Sequence, residues 1–292
     1  MTAALTARIA HLTGQRPVRL SALSGGCVGD VYRVHMASGS DFVAKIAAPI
    51  AAPNAPPSTL GVEGKMLHHL HHHTDLPVPT VIHADDALLL MTFVPNDGAL
   101  NRASQQDAAR HIADLHRHTS PNGFGFAHDT TIGGLPQTNP WTQNWCDFFR
   151  DQRLMAMGHM AERAGQLRGA TLLRLEHLCD HLTRWIDQPA RPALIHGDLW
   201  GGNILTKDAH ISGFIDPALY FADPEIELAF STLFNTFDRN FFDRYQDVHP
   251  IAAGFFEQRR DLYNLYPLLV HVRLFGGAYG TAVERTLKQF GF

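Results

Sequence analysis

Apolar and polar positions follow one rhythm early in the chain and another later. Thr2 to Thr13 carries apolar residues at helical spacing and closes at Gly14, predicting a short amphipathic helix. Three runs rich in β-branched and aromatic residues follow, Val18 to Ala22, Asp30 to Met36 and Asp41 to Ile46, and read as strands. Ser38-Gly39-Ser40 is the turn between the second and third. An Ala/Pro-rich stretch, Ala47 to Ser58, predicts an extended connection. Leu60 to His73 restores the helical period, with Val62, Met66, Leu67 and Leu70 on one side. Val78 to His83 and Ala87 to Val94 read as two more strands, and Pro95-Asn96-Asp97-Gly98 breaks the chain.

Beyond that break the period is mainly helical. Ser104 is expected to cap a helix reaching His118, with Ala108, Ile112 and Leu115 inward. Further helices are expected over Asn144 to Met157 and Arg168 to Ile186, then a mixed segment from Ala193 to Ile215, then helices from Pro224 onward. The pattern predicts an α+β protein. A small antiparallel sheet with one main helix occupies residues 1–95, and a larger, mostly helical part occupies residues 96–292.

Composition narrows the function by exclusion. With 45% hydrophobic and 18% charged residues, the 292-residue chain has the balance of an ordinary globular protein. A net charge of −4 gives no basic footprint for nucleic acid. No apolar run approaches the roughly 18 residues of a membrane span, and Met1 to Leu12 lacks a secretory signal pattern. Cys27, Cys146 and Cys179 are too scattered for a disulfide framework or a zinc site, which predicts a reduced cytoplasmic setting. His68, His69, His71, His72 and His73 put pairs such as His68 and His72 on one helical face, where a metal could bind, but a solvated helix end is the plainer reading.

Chemistry concentrates in two neighbouring stretches, Ile195-His196-Gly197-Asp198-Leu199-Trp200-Gly201-Gly202-Asn203-Ile204-Leu205 and Gly213-Phe214-Ile215-Asp216-Pro217. A Gly-Asp pair alone is a common turn, but Asp-x₄-Asn followed by Asp after a short strand is a more specific pattern. Phosphoryl transfer needs positioning and charge neutralisation more than covalent help. Asp198 would orient the attacking hydroxyl and accept its proton, while Asn203 and Asp216 offer the oxygen atoms that Mg²⁺ prefers. Lys45, at the end of the third strand, would reach the α- and β-phosphates of ATP, and Glu63 on the following helix would hold it. Gly25, Gly26 and Cys27 lie in a Gly-rich turn whose backbone N–H groups would cover phosphates, although a plain Gly-rich hairpin turn has the same pattern. Leu90 to Val94, with Thr92, Phe93 and Val94 at its end, is placed to be the adenine-binding linker.

The Asp198 loop resembles that of the fructosamine/ketosamine-3-kinase family, which is related to the aminoglycoside phosphotransferases. The resemblance rests on His196-Gly197-Asp198-Leu199-Trp200 with Gly202-Asn203, and on Ile215-Asp216-Pro217-Ala218 followed by Glu225-x-Glu227-Leu228-Ala229. Gly123-Phe124-Gly125-Phe126, Asn139-Pro140-Trp141, Asn144-Trp145, Phe148-Phe149, Leu262-Tyr263 and His271 to Gly276 extend it along nearly the whole chain. It implies a two-lobed protein-kinase-like fold and ATP-dependent phosphorylation of the 3-hydroxyl of a ketosamine, the rearranged adduct of a sugar and an amine. The phosphorylated adduct then releases its amine, so the implied role is deglycation of proteins or small molecules, by a monomer or homodimer. Asp198 carries over as the base, Asn203 and Asp216 as metal ligands, Lys45 and Glu63 as the phosphate-holding pair, and Thr92 to Val94 as the hinge. Trp200 is expected to wall the sugar or else to pack the loop, and His271 to reach the substrate or else to be a buried, hydrogen-bonded histidine. Cys27 matches a loop cysteine that can bridge subunits, although a reduced cytosol argues against a constitutive bond. Glu225 and Glu227 follow Asp223-Pro224 and read as first-turn acids that favour a helix dipole. The register between Lys45 and Glu63 is blurred by the Ala/Pro-rich run. A kinase of an aminoglycoside, choline or homoserine shares the same ATP-site residues. A non-catalytic ATP-binding protein would be expected to have lost the base or a metal ligand, and all are present.

Overall fold

The computed structural model describes residues 2–23, 30–47, 59–189 and 191–292. Its first part holds helix α1 (Thr2–Thr13), strands β1 (Pro17–Ala22), β2 (Asp30–Met36) and β3 (Asp41–Ile46), helix α2 (Leu60–His73), and strands β4 (Val81–Ala84) and β5 (Leu88–Thr92). The strands form one antiparallel sheet in the order β1-β2-β3-β5-β4. Side chains alternate across it: Ala44, Leu88 and Leu90 join Ile9 of α1 in one cluster, and Val43, Leu89 and Met91 join Leu60 and Leu67 of α2 in another. The unbroken apolar run Leu88-Leu89-Leu90-Met91 exists because β5 is covered on both faces.

The larger part begins with α3 (Arg102–Leu115), a small hairpin of β6 (Thr130–Ile132) and β7 (Leu135–Gln137), and α4 (Trp145–Phe148). The last of these runs through a π-helical stretch into α5 (Ala156–Arg163) and is followed by α6 (Gly169–Cys179). Strand β8 (Ala193–Ile195), the hairpin β9 (Ile204–Lys207) and β10 (His210–Phe214), and β11 (Tyr220–Ala222) come next. The chain closes with α7 (Glu225–Leu233), α8 (Arg239–Val248), α9 (Arg260–Tyr263), α10 (Leu265–Phe275) and α11 (Ala278–Gln289). Strand β8 pairs with β11, so the two loops carrying Asp198 and Asp216 leave adjacent short sheets. Trp145, Phe148, Phe149, Tyr220 and Tyr263 fill the core beneath them. Among the described residues no helix is long and apolar enough to cross a membrane.

Several expected boundaries move, each for a local reason. The strand expected from Val78 begins at Val81, because Pro77 and Pro79 have no N–H to give a ladder. The helix expected to be capped by Ser104 is capped by Asn101, whose side chain accepts from Ala103 N and Ser104 N, while the Ser104 hydroxyl returns to Asn101 N in a capping box. Its last residue is Leu115 rather than His118. The segment from Arg168 to Ile186 is two pieces, α6 ending at Cys179 and a 3₁₀ turn at Leu182–Arg184. The helix expected to stop at Met157 continues to Arg163.

The linker between the parts is pinned to the helical side. Asp97 N and Gly98 N both donate to the Thr206 carbonyl on β9, at 3.1 and 3.0 Å. A Cβ on Gly98 would fall 2.8 Å from Thr206 Oγ1, so this crossing needs a glycine.

Candidate active site

Lys45 projects from β3 into the interior, where its Nζ donates to Glu63 Oε1 at 2.7 Å and to Asp216 Oδ1. Glu63 stands in the first turn of α2, so the Ala/Pro-rich run does not disturb the pair. Burial opposes the Lys45 charge, but the two carboxylates outweigh it and hold the ammonium's pKa above its ordinary range. Burial pushes the Glu63 carboxyl up to about 7 against the pull of Lys45, and Asp216 adds to the rise. Asp216 adopts a φ of +55°, the left-handed region that L-residues seldom enter.

The Asp198 loop is shaped by its glycine and its amide. Gly197 has φ +86°, and a Cβ there would come 2.1 Å from the Ala218 carbonyl oxygen, so no other residue fits without moving the loop. Asn203 Nδ2 donates to the Asp198 carbonyl and to Asp198 Oδ2, both at 2.9 Å. That leaves Asn203 Oδ1, with its lone pairs, as the side chain's remaining polar atom. Ile215 N donates to the Asn203 carbonyl at 3.0 Å, tying the Asp198 loop to the Asp216 loop. Burial pushes the Asp198 carboxyl up to about 7; the Asn203 hydrogen bond opposes this, and the nearby charges of Asp216 and Glu227 reinforce it. His196 is fully buried, burial lowers its pKa, and its Nδ1 accepts from Asp198 N at 3.3 Å.

The donor set suits a hard divalent cation that shares its shell with phosphates. Asn203 Oδ1 and the Asp216 carboxylate could supply oxygens to it, and Mg²⁺ typically takes only one or two carboxylates from a protein. Among the described residues no three His, Cys, Asp or Glu side chains cluster as a metal cage, the histidines of α2 included. His68 and His72 stack on each other at 3.9 Å on the exposed end of that helix.

The remaining expected residues fall unevenly. Gly25, Gly26 and Cys27 lie outside the described residues. Thr92 and Phe93 have already committed their amides, Thr92 N to the Thr80 carbonyl at 2.9 Å and Phe93 N to the Asp41 carbonyl at 3.1 Å. Val94 follows them, its side chain within reach of Gly213 on β10. Trp200 is 39% exposed on the Asp198 loop. His271 does not meet that loop directly: its ring packs on Phe234 at 5.0 Å, and Phe234 in turn meets Trp200 at 6.2 Å. Cys146 and Cys179 are buried thiols, their pKa values pushed up to about 11 and about 12 by burial, so they are core residues rather than nucleophiles.

One participant was assigned too small a part by sequence reasoning. Glu225 behaves as a structural acid, bound to Arg259 through two hydrogen bonds of 2.6 and 2.8 Å. Glu227, two residues on, instead turns under the Asp198 loop. It accepts from Gly197 N at 2.7 Å, His196 N at 3.2 Å and His116 Nε2 at 2.8 Å. His116 Nδ1 meets the Tyr245 hydroxyl at 2.7 Å. Burial opposes the Glu227 charge, but the His116 hydrogen bond and charge outweigh it and hold the carboxyl below its ordinary range. The available signal was spacing: on a helix, residues 225 and 227 point to different sides.

A family model for fructosamine kinases matches residues 1–290. The chain is 38% identical over 197 residues to a probable ketoamine kinase of Synechocystis, covering 66% of this chain and 64% of that protein's own length. It is 30% identical over 284 residues to the chloroplastic protein-ribulosamine 3-kinase of Arabidopsis thaliana, covering 93% and 82%. A crystal structure from Thermobifida fusca, provisionally assigned as a fructosamine-3-kinase, superposes with a TM-score of 0.84 at 31% identity over 98% of this chain and 97% of that one. An aminoglycoside phosphotransferase in ternary complex with AMP-PNP and hygromycin B shares the fold, with a TM-score of 0.66 at 16% identity and 99% coverage of both chains.

Proposed function

The chain belongs to the fructosamine kinase family, and from that membership we propose that it transfers the γ-phosphoryl group of ATP to the 3-hydroxyl of a ketosamine. The observation that supports this most directly is the convergence of Asp198, Asn203 and Asp216 beside the Lys45–Glu63 pair. In this reading Asp198 holds the acceptor hydroxyl and takes its proton as the new O–P bond forms and the bond from Pγ to the β-phosphate oxygen breaks, releasing ADP. Asn203 and Asp216 would hold Mg²⁺, which supplies charge neutralisation at the phosphates. Lys45, fixed by Glu63, would reach the α- and β-phosphates, with Gly25, Gly26 and Cys27 above them. Thr92 to Val94 would frame the adenine, and the commitment of the first two amides favours Val94 as its hydrogen-bonding partner. Trp200 would wall the sugar, backed through Phe234 by His271.

A phosphate on C3 sits beside the C2 carbonyl. Enolisation between C1 and C2 lets it leave as inorganic phosphate, and hydrolysis then frees the amine. The test is a panel of ribulose-, fructose- and erythrulose-derived amines, with 3-phosphate formation followed by phosphorus NMR. Wild-type protein should phosphorylate at least one ketosamine in a Mg²⁺- and ATP-dependent way, and Asp198→Asn should not. Transfer to an aminoglycoside, choline or homoserine with none to any ketosamine would overturn the proposal.

A further inference from the structure

A wall of rings leads away from the catalytic loop. The Trp200 indole lies against Gly202, where an added Cβ would sit 2.3 Å from the ring, so the missing side chain is what seats the indole. From Trp200 the contacts run outward to Phe234 at 6.2 Å, then to His271 at 5.0 Å, and from His271 to Phe275 at 5.6 Å and Tyr279 at 4.9 Å. Trp200, Phe234 and Phe275 are 39%, 38% and 57% exposed. Single exposed apolar residues are ordinary, but a connected line of them starting beside a catalytic loop marks a binding surface. The His271 Nδ1–H donates to the Pro267 carbonyl at 2.7 Å, and burial lowers the ring's pKa, so it adds a neutral face to the line.

The inner two rings of the wall, Trp200 and Phe234, also line a groove of about 440 Å³ with Gly201, Gly202, Leu100 and, among its polar residues, Asp238, while His271 and Phe275 lie beyond it. The Asp238 carboxylate accepts from Asn240 N, which with Gln105 holds its pKa below the ordinary range, so it is an anion at neutral pH. A neutral sugar needs neither this anion nor the outer rings. The nitrogen of a ketosamine is a secondary ammonium, and a carboxylate beside aromatic faces is a recognition set for such a cation.

Resting on the ketosamine kinase reading, in which Trp200 walls the sugar, we propose that the Phe234–His271–Phe275 rings outward of it and Asp238 form the subsite for the amine half of the acceptor. It selects amines that carry an aromatic or bulky apolar group over small or anionic ones. The sugar is thereby placed at Asp198 while the amine substituent lies outward along the rings.

The experiment compares fructose adducts of benzylamine, methylamine and glutamate, measuring both kcat/KM and binding by calorimetry. Wild-type protein should favour the benzylamine adduct over the methylamine adduct by roughly 10- to 100-fold, the worth of burying one ring, with the glutamate adduct weakest. Phe275→Ala, at a site more than half exposed, should bring that ratio toward 1, and so should Phe234→Ala. Asp238→Asn preserves a good helix cap and should weaken both cationic adducts while narrowing their lead over the glutamate adduct. Equal use of the benzylamine and methylamine adducts by wild-type protein overturns the subsite and leaves the kinase reading intact. Binding that keeps the preference while no adduct is phosphorylated overturns the kinase reading and leaves the subsite.

Discussion

In front of the Asp198 loop, Lys45 is bonded to two carboxylates, Glu63 and Asp216, and the Asp216 charge also acts on Asp198. Behind the same loop, Glu227 meets two backbone amides and the His116 imidazole, and that imidazole ends on the Tyr245 hydroxyl. The rear is a closed circuit in which each donor named here faces an acceptor. At the front, burial raises the carboxyls of Asp198 and Glu63 to about 7, and in both the nearby charge of Asp216 adds to the rise. Buried charge left uncompensated is costly. A protein can keep it where a ligand brings balancing charge, and the front is the side that the proposed Mg²⁺ and phosphates would occupy.

The sharpest test of that contrast removes front carboxylates. Asp216→Ala should abolish Mg²⁺-dependent phosphate transfer while the melting temperature stays within a few degrees of wild type. Asp198→Asn should lower kcat by about 10²- to 10⁴-fold, with near-UV circular dichroism unchanged. Full activity in either variant would remove the front of the loop from the chemistry.

Glu227→Ala probes the rear, where both Glu227 and His116 are fully buried. It should cost about 3–5 kcal/mol in urea unfolding, because two loop amides and an imidazole lose their partner together. A loss of about 1 kcal/mol or less would mean that Glu227 serves only the dipole of α7. Gly197→Ala, between the two sides, should cost about 1–3 kcal/mol through its positive φ and reduce kcat further by pushing the loop off Ala218. Unchanged turnover would show that the loop tolerates the shift.

The smallest effect lies deeper behind the loop. Asp223 accepts from Glu225 N at 2.9 Å and from the Tyr263 hydroxyl at 2.6 Å. Burial, reinforced by the Glu225 charge, moves its carboxyl from 3.8 up to about 7. A carboxyl raised in the folded state keeps its proton after the unfolded chain has released its own, so the fold loses stability as pH climbs through that window. Asp223→Asn cannot titrate, and its melting temperature should gain on wild type between pH 4 and pH 7. A difference that stays flat with pH would show that Asp223 is charged throughout.

The elements that were legible from the chain are those whose pattern is local. The five strands and the helix over Leu60–His73 follow from apolar alternation and helical spacing, and the unsettled Lys45–Glu63 register resolves into a direct contact. Boundaries moved where a nearby residue set them instead, as Pro77 and Pro79 do for β4 and Asn101 does for α3. Family motifs far apart in sequence prove to be one buried chain: Trp145 Nε1 donates to the Tyr263 hydroxyl at 2.9 Å, which donates to Asp223. No spacing rule links positions 145, 223 and 263.

By itself the sequence determined which residue types were present for phosphoryl transfer, and in what order: a lysine, a glutamate, then Asp198, Asn203 and Asp216. Propensity and short-range spacing fix such things because they act over a few residues. Only the tertiary structure decided that Glu227 belongs under the Asp198 loop, that His271 stands one ring away from it, and that exposed rings line the groove beside it. Those facts depend on how separate helices pack, and packing is settled by contacts between residues more than a hundred positions apart, such as His116 and Glu227.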